Sequence, residues 1–370
     1  RVNSLKLVNY RNYQELELAF QPALNIFLGC NAQGKTNILE AVYYAACGSS
    51  FRGNSDGELI KWNADGGSIS LGFSRLEVAN QLDFAFRRDK RRTIVYNGQK
   101  IPLRELIGAF NVVLFAPDDL LLIKGAPAGR RKFLDMEISQ ASPAYYRELI
   151  TYNRLLQQRN SLLKEIREGK SKAGMLEFWN PQLAASAAKI TAKRLEAVQK
   201  FNMLANLMQR RISGNEENLS LSYQIKGMEN GQLAENMEIW YNEMLHGLNN
   251  EEIYRGVTCV GPHRDDIVVS VNGINLKSFG SQGQQRTAVL SMKLSELEFI
   301  RSETGEYPVL LLDDVMSELD AGRRQQLLNF IEREGIQTLI TATDEAYFQQ
   351  APLKTYFQVE AGQVKVVNKV

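Results

Sequence analysis

Hydrophobic and polar positions along this chain change period as it proceeds. Up to about residue 117 they alternate as in strands, interrupted by one helix-like stretch from Asn37 to Ala46. Within this part, Asn97-Gly98 marks a tight hairpin turn. From Ser142 the period becomes helical, with a capping residue followed by proline at the first helical position. Leu149, Tyr152, Leu156, Leu163 and Ile166 share one face to about Arg167, and Gly169 to Gly174 break the pattern. A second long helix is predicted from near Pro181 to Arg211, with Leu183, Ala187, Ile190, Phe201, Leu204 and Met208 available for packing. Two such helices joined by a short polar loop predict an antiparallel hairpin. Its apolar stripe reads as packing, not as a cofactor site.

The Asn37 helix is preceded by chemistry. Gly29-Cys30-Asn31-Ala32-Gln33-Gly34-Lys35-Thr36 fits the phosphate-loop pattern GxxxxGK[ST] and follows the apolar run Leu24-Asn25-Ile26-Phe27-Leu28. Strand, loop and helix are the context that the pattern requires. Backbone N–H groups at a helix N-terminus favour phosphate, Lys35 adds a positive charge, and the Thr36 hydroxyl suits Mg²⁺. A glycine turn with a chance lysine would lack that context. The chain is therefore expected to bind a nucleoside triphosphate.

An acidic partner lies near the other end. Val309-Leu310-Leu311-Leu312 reads as a strand buried on both faces, and Asp313-Asp314 follows at its C-terminal end, where parallel sheets present ligands. Asp313 is expected to serve the Mg²⁺ and Asp314 to polarise the attacking water. Alone, this would read as a buried strand ending in a surface turn. Just before it, Ser281-Gln282-Gly283-Gln284-Gln285-Arg286 opens a helix expected from Thr287 to Glu303. Exposed N–H groups there make a second anion site, though the same residues also suit an ordinary helix cap. One triphosphate cannot use both loops within one small domain. Two subunits, each offering its serine loop to the other's nucleotide, resolve that.

Composition narrows the setting. The length of 370 residues allows two domains and a large core. Without a run of about 18 apolar residues or a signal-peptide pattern, a cytoplasmic protein with no membrane partner is expected. Cys30, Cys47 and Cys259 form no even framework, and two histidines exclude a histidine-rich metal centre. The only metal expected is Mg²⁺ carried in with ATP. A formal net charge of +2 argues against a purely electrostatic nucleic-acid binder. Charge is nevertheless clustered: Arg87, Arg88, Lys90, Arg91 and Arg92 sit at a hairpin tip, and Arg130, Arg131 and Lys132 start a helical region. Both clusters suit DNA phosphates. For the hairpin, a solvated edge-protecting turn fits equally well.

The order of these motifs, with Ser317-Glu318-Leu319-Asp320 after the acidic strand, resembles the ATP-binding-cassette heads of chromosome-maintenance and repair ATPases. Leu7-Val8-Asn9-Tyr10-Arg11-Asn12-Tyr13, Phe115-Ala116-Pro117-Asp118-Asp119, Gly261-Pro262-His263-Arg264-Asp265-Asp266 and Thr341-Ala342-Thr343-Asp344 narrow the resemblance to the RecF family of bacterial recombination-repair proteins. The short helical hairpin, in place of a coiled coil hundreds of residues long, agrees with that. The resemblance implies an α/β fold: a P-loop ATPase head with a mixed sheet, and a mostly helical second lobe carrying the hairpin. Lobe I would comprise residues 1–117 and 305–370, and lobe II residues 118–304.

The resemblance further implies a weak, DNA-dependent ATPase acting as an ATP-induced homodimeric clamp on double-stranded DNA near gaps or stalled forks. RecO and RecR would be its partners in placing RecA. Lys35, Asp313 and Asp314 would be catalytic. Arg11, Asn12 and residues Gly29 to Asn37 would surround the nucleotide, Ser281 to Arg286 would act across the dimer, and Ser317, Asp320 and Thr343 would form the D-loop and switch. Asp314 stands where a glutamate is usual and Thr343 where a histidine is usual, so slow hydrolysis is expected. Two rival classes share some of these features: a transport ATPase subunit, and a scaffold whose ATP is structural.

Overall fold

The computed structural model describes residues 1–53, 55–229, 233–348 and 353–369. Its strands are β1 (Val2–Tyr10), β2 (Tyr13–Ala19), β3 (Leu24–Leu28), β4 (Gly66–Arg75), β5 (Val78–Arg87), β6 (Lys90–Tyr96), β7 (Gln99–Lys100), β8 (Val112–Phe115), β9 (Leu219–Gln224), β10 (Asp266–Val271), β11 (Ile274–Asn275), β12 (Val309–Asp313), β13 (Thr338–Ala342), β14 (Lys354–Glu360) and β15 (Gln363–Lys369). The chain divides into two compact units. The first comprises Arg1–Leu120, Arg211–Gly214 and Val289–Val370, the second Leu121–Arg210 and Asn215–Ala288. The later division falls inside a helix, Gln282–Thr304, whereas the sequence suggests one near its end.

The first unit holds two sheets. One is antiparallel, in the order β2-β1-β4-β5-β6-β7. Asn97 and Gly98 both take positive φ between β6 and β7, as a two-residue hairpin turn requires. The other sheet runs β15-β14-β3-β13-β12-β8; all its neighbours pair in parallel except β15, which is antiparallel at the edge. Its central strands read as continuous apolar runs because they are covered on both faces: Ile26, Phe27, Leu311, Leu312, Leu339 and Ile340 are all fully buried. The phosphate-loop helix, Lys35–Cys47, packs on β12 and β13. The C-terminal ends of β3 and β12 flank that of β13, so the phosphate loop and Asp313 emerge at one edge of the sheet.

The second unit carries the helical hairpin and a small sheet, β11-β10-β9. The first arm helix spans Pro143–Arg167, with Ser142 as its N-cap accepting from Tyr145 N at 3.4 Å. The second spans Leu176–Ile212 and begins before Pro181 rather than at it. Proline there forfeits one hydrogen bond near the helix start. Leu176, fully buried against Leu162 and Leu163, anchors the added turn. The signature helix likewise begins at Gln282 rather than Thr287. Among the described residues, no helix is long and apolar enough to cross a membrane.

Candidate nucleotide site

The phosphate loop is held from three directions. Tyr13 donates its hydroxyl hydrogen to Gly34 O at 3.1 Å, and Asn12 Nδ2 donates to Gln33 O at 3.1 Å. Ala361 N, in the turn between β14 and β15, donates to Gln33 Oε1 at 2.6 Å. Gly34 has φ of 113°, and a Cβ on it would stand 2.5 Å from Asn12 Nδ2 and 2.8 Å from the Tyr13 hydroxyl. Gly29 is similarly confined, since a Cβ would stand 2.3 Å from Val359 O. Glycine is thus required at both ends of the loop for want of space.

Lys35 Nζ donates to Gly29 O at 2.6 Å and Cys30 O at 2.9 Å. Its ammonium is therefore curled over the loop. Burial lowers its pKa from the usual value, against the raising influence of the Asp314 and Asp313 carboxylates. Asn31 and Ala32 lie on the exposed outer side, Ala32 with φ of 65°. Asn37 Nδ2 donates to Asn12 Oδ1 at 2.8 Å, and Arg52 donates to Asn37 Oδ1 at 3.0 Å. Asn12 thus touches the loop directly. Arg11 instead places Nε and Nη2 on the two oxygens of the fully buried Glu40, at 2.9 and 2.6 Å. In this structure Arg11 braces the helix behind the loop.

Thr36 Oγ1 donates to Asp313 Oδ1 at 2.8 Å. These residues are 277 positions apart, and the bond joins the phosphate-loop helix to the end of β12. Thr341, on the strand between, completes the arrangement. Its hydroxyl donates to Asp313 Oδ1 at 2.9 Å and accepts from Asp314 N at 2.8 Å. Sequence analysis places Thr341 in a family motif but assigns it no role, because a threonine in a buried strand reads as a β-branched core residue. A hydroxyl and a carboxylate held this way form the oxygen donor set that a hard divalent cation takes, so the residues fit Mg²⁺.

Asp314 sits at φ 54°, a left-handed conformation unusual for a non-glycine residue, and its side chain does not cap the following 3₁₀ turn. Burial raises its pKa, the Lys35 ammonium opposes that, and the Asp313 carboxylate reinforces it. A carboxylate shifted upward is a better proton acceptor near neutral pH. Ser317 Oγ donates to Asp314 O at 2.9 Å, and Asp320 caps the next helix by accepting from Arg323 N. Thr343 is exposed just past β13.

In the second unit, Ser281 is the N-cap of the signature helix within a capping box. Its Oγ accepts from Gln284 N at 3.2 Å, while Gln284 Oε1 accepts from Ser281 N at 3.1 Å. Both readings of this loop therefore survive: it is a cap, and Ser281, Gln282, Gly283 and Arg286 are exposed. Gln285 is buried and donates to Leu276 O.

The basic clusters need correction. Arg130 is 4% exposed and bidentate on Asp266 at 2.8 and 2.9 Å, so it is an internal brace and not a surface cation. Arg92 is half-buried, paired with Asp56 and the Tyr44 hydroxyl. Arg88 donates to the carbonyls of Ala64 and Lys61. Arg131 donates to Asp265 O at 2.7 Å. Arg87, Arg88, Lys90, Arg91 and Lys132 remain exposed, Arg88 with its guanidinium already on those two carbonyls. A run of cations in sequence does not say which of them find internal carboxylates.

Most of the Gly261-to-Asp266 stretch also turns inward, Arg264 being exposed. Arg194 donates to both oxygens of Asp135, to the Tyr223 hydroxyl and to Pro262 O. Tyr223 and Lys226 N donate to Asp265. His263 bridges the Tyr152 hydroxyl at 2.6 Å and Thr258 O at 3.1 Å. The carbonyl must accept, so His263 Nε2 donates and Nδ1 receives the tyrosine proton.

The model of the RecF/RecN/SMC N terminal domain matches residues 1–367. The chain is 45% identical over 347 residues to the DNA replication and repair protein RecF of Halothermothrix orenii, covering 93% of this chain and 92% of that one. It is 42% identical over 370 residues to the RecF of Listeria monocytogenes, covering 98% and 99%. A solved structure of the recombination mediator protein RecF with ATP superposes with a TM-score of 0.92 at 34% identity, covering 99% of this chain and 97% of that one. An SMC head bound to a winged-helix domain of ScpA, at 14% identity and a TM-score of 0.57, shares the fold, with 99% of this chain and 96% of that one covered. The expected ATPase-head fold is thus observed, and the chain belongs to the RecF family.

Proposed function

We propose that this protein is an ATP-dependent DNA clamp of recombinational repair, a homodimer closed by two shared nucleotides. The bond between Thr36 and Asp313 carries the nucleotide-binding core of this reading, because it sets the metal-binding hydroxyl and carboxylate beside the lysine that meets the phosphates. Lys35 and the loop N–H groups bind the β- and γ-phosphates. Thr36 and Asp313 would hold Mg²⁺, which would neutralise phosphate charge. Asp314 orients the water that attacks the γ-phosphorus and takes its proton as ADP and phosphate form. Ser281 and Gln284 of a second copy close over the γ-phosphate, so ATP favours the paired state over the separate one. Hydrolysis removes that contact and releases the clamp.

The relatives' names, DNA replication and repair protein and recombination mediator in the RecFOR pathway, support a role in repair with RecO and RecR; action in the cytoplasm ahead of RecA extends that reading. The exposed cations Arg87, Lys90, Arg91 and Lys132 are offered to duplex DNA. Asp314 is one methylene shorter than the usual glutamate, which favours a slow timer over a motor. Sedimentation without nucleotide, with ADP, with ATP, and with ATP plus duplex DNA tests the reading. Dimers are expected only with ATP, and neither in Lys35→Ala nor in Ser281→Arg. A monomer indifferent to ATP that still binds DNA would replace the clamp with a simple adaptor.

A further inference from the structure

β9 is the edge strand of the small sheet in the second unit, and its outward N–H groups need partners. The second arm helix supplies them. Asn206 Oδ1 accepts from Leu219 N at 3.1 Å, and Asn202 Oδ1 accepts from Leu221 N at 2.8 Å. Gln209 lies on the same helix face, three residues beyond Asn206. It is fully buried and donates to Glu217 Oε2 at 2.6 Å. The other oxygen of Glu217, Oε1, accepts from Gln284 Nε2 at 3.1 Å. Gln284 in turn forms the capping box with Ser281. A continuous polar ladder therefore runs from the arm helix through one carboxylate to the signature loop.

Each rung constrains the next. Gln284 has one amide, and its oxygen is committed to Ser281 N while its nitrogen is committed to Glu217. The side chain is thereby fixed at both ends, and Ser281 with it. A carboxylate is the one group of this length that accepts from two amides at once without a donor of its own. From this we infer that Glu217 is a positioning residue: it couples the arm helix to the signature loop and holds Ser281 and Gln284 in the geometry that receives a second copy's γ-phosphate. The inference rests on the reading that this loop acts across the dimer. It makes the arm an input to nucleotide-driven pairing, since a shift of the helix along β9 moves Glu217 and, through it, Gln284.

The test uses the full chain and the variants Glu217→Ala, Glu217→Gln, Gln284→Ala and the Glu217→Ala/Gln284→Ala double variant. Three quantities are measured: ATP affinity of the monomer at low protein concentration, the ATP-dependent dimer dissociation constant by sedimentation, and the melting temperature. Glu217→Ala is expected to weaken the dimer about tenfold, the effect of losing one charge-assisted hydrogen bond. Monomer ATP affinity should stay unchanged, and melting should fall by only about 2–4 °C, from the bond that buried Gln209 loses. Glu217→Gln, which still accepts one bond, should recover part of the loss. The double variant should dimerise no worse than Gln284→Ala alone, because both act on one element.

Additive losses in the double variant would overturn the coupling. So would Glu217→Ala lowering melting further and monomer ATP affinity with it, which marks a role in folding only. Unchanged dimerisation of Glu217→Ala, with Ser281→Arg still monomeric, would remove the ladder and leave the shared-nucleotide reading standing. A parent chain that stays monomeric in ATP would overturn that reading, and the ladder's function with it.

Discussion

Replacing Thr341 by valine removes one hydroxyl from the middle of the site and little else. The residue is fully buried on β13, where valine has nearly the same shape. Two hydrogen bonds go with it: the donation to Asp313 Oδ1 at 2.9 Å, and the acceptance from Asp314 N at 2.8 Å. A bond to a charged group contributes about 1.5–3 kcal/mol, and an orphaned buried N–H costs about 1–3 kcal/mol. Most of this falls on the local geometry of two carboxylates. Asp313 keeps Thr36 as a donor, and Asp314 loses the tether that holds its backbone at positive φ. If about 2 kcal/mol of the loss is felt where water attacks phosphorus, turnover falls about thirtyfold. ATP affinity, set by the phosphate loop, should change by about threefold at most, a shift of about 0.6 kcal/mol. Steady-state ATP hydrolysis in the presence of duplex DNA, with equilibrium nucleotide binding on the same preparations, separates the two effects. A variant that hydrolyses ATP at the parental rate would refute the claim that Thr341 positions the acidic pair.

Three further expectations follow from the same geometry. Gly34→Ala places a Cβ 2.5 Å from Asn12 Nδ2 at a backbone angle that alanine resists, so ATP affinity should drop about tenfold or more; nucleotide titration checks this, and an unchanged affinity would show that the loop yields. Arg130→Ala should destabilise the fold by about 3–5 kcal/mol by leaving Asp266 without its bidentate partner, whereas Lys132→Ala should cost less than about 0.5 kcal/mol; equal midpoints in urea would contradict the internal assignment of Arg130. Burial, with some help from Arg264 and Arg131, lowers the His263 pKa from 6.5 to about 4. Above pH 6.5 both folded and unfolded chains hold it neutral, and below that the unfolded chain takes the proton first. Stability should therefore fall as pH drops from about 6.5 towards 4, by up to about 3 kcal/mol, and a His263→Gln variant should lose that slope. An identical pH profile in the variant would assign the slope elsewhere.

The parts of the fold that were legible in the sequence are those set by neighbours in the chain. Gly29 to Thr36 announces its loop because glycine spacing, lysine and flanking strand all lie within a dozen residues, and Val309 to Asp313 announces a buried strand by unbroken apolarity. Ser142-Pro143 marked a helix start to the residue. What could not be read depends on partners far away. Thr341 is a core threonine until Asp313 is folded beside it. Asn202, Asn206 and Gln209 look like ordinary polar positions on a long helix until β9 lies along them. Arg130 looks like a surface cation because Asp266 is 136 positions distant. Pro181 misled in the opposite way: a local signal for a helix start was overridden by the burial of Leu176.

The central claim is that each nucleotide is enclosed by the phosphate loop of one copy and the serine loop of another. Mixing Lys35→Ala with Ser281→Arg tests it most directly. Alone, each variant can form no intact site, whereas a mixed dimer joins the intact Lys35 of one chain to the intact Ser281 of the other. The account predicts that the mixture regains ATP-dependent hydrolysis that neither variant shows by itself. A mixture no more active than the sum of its parts would contradict the account.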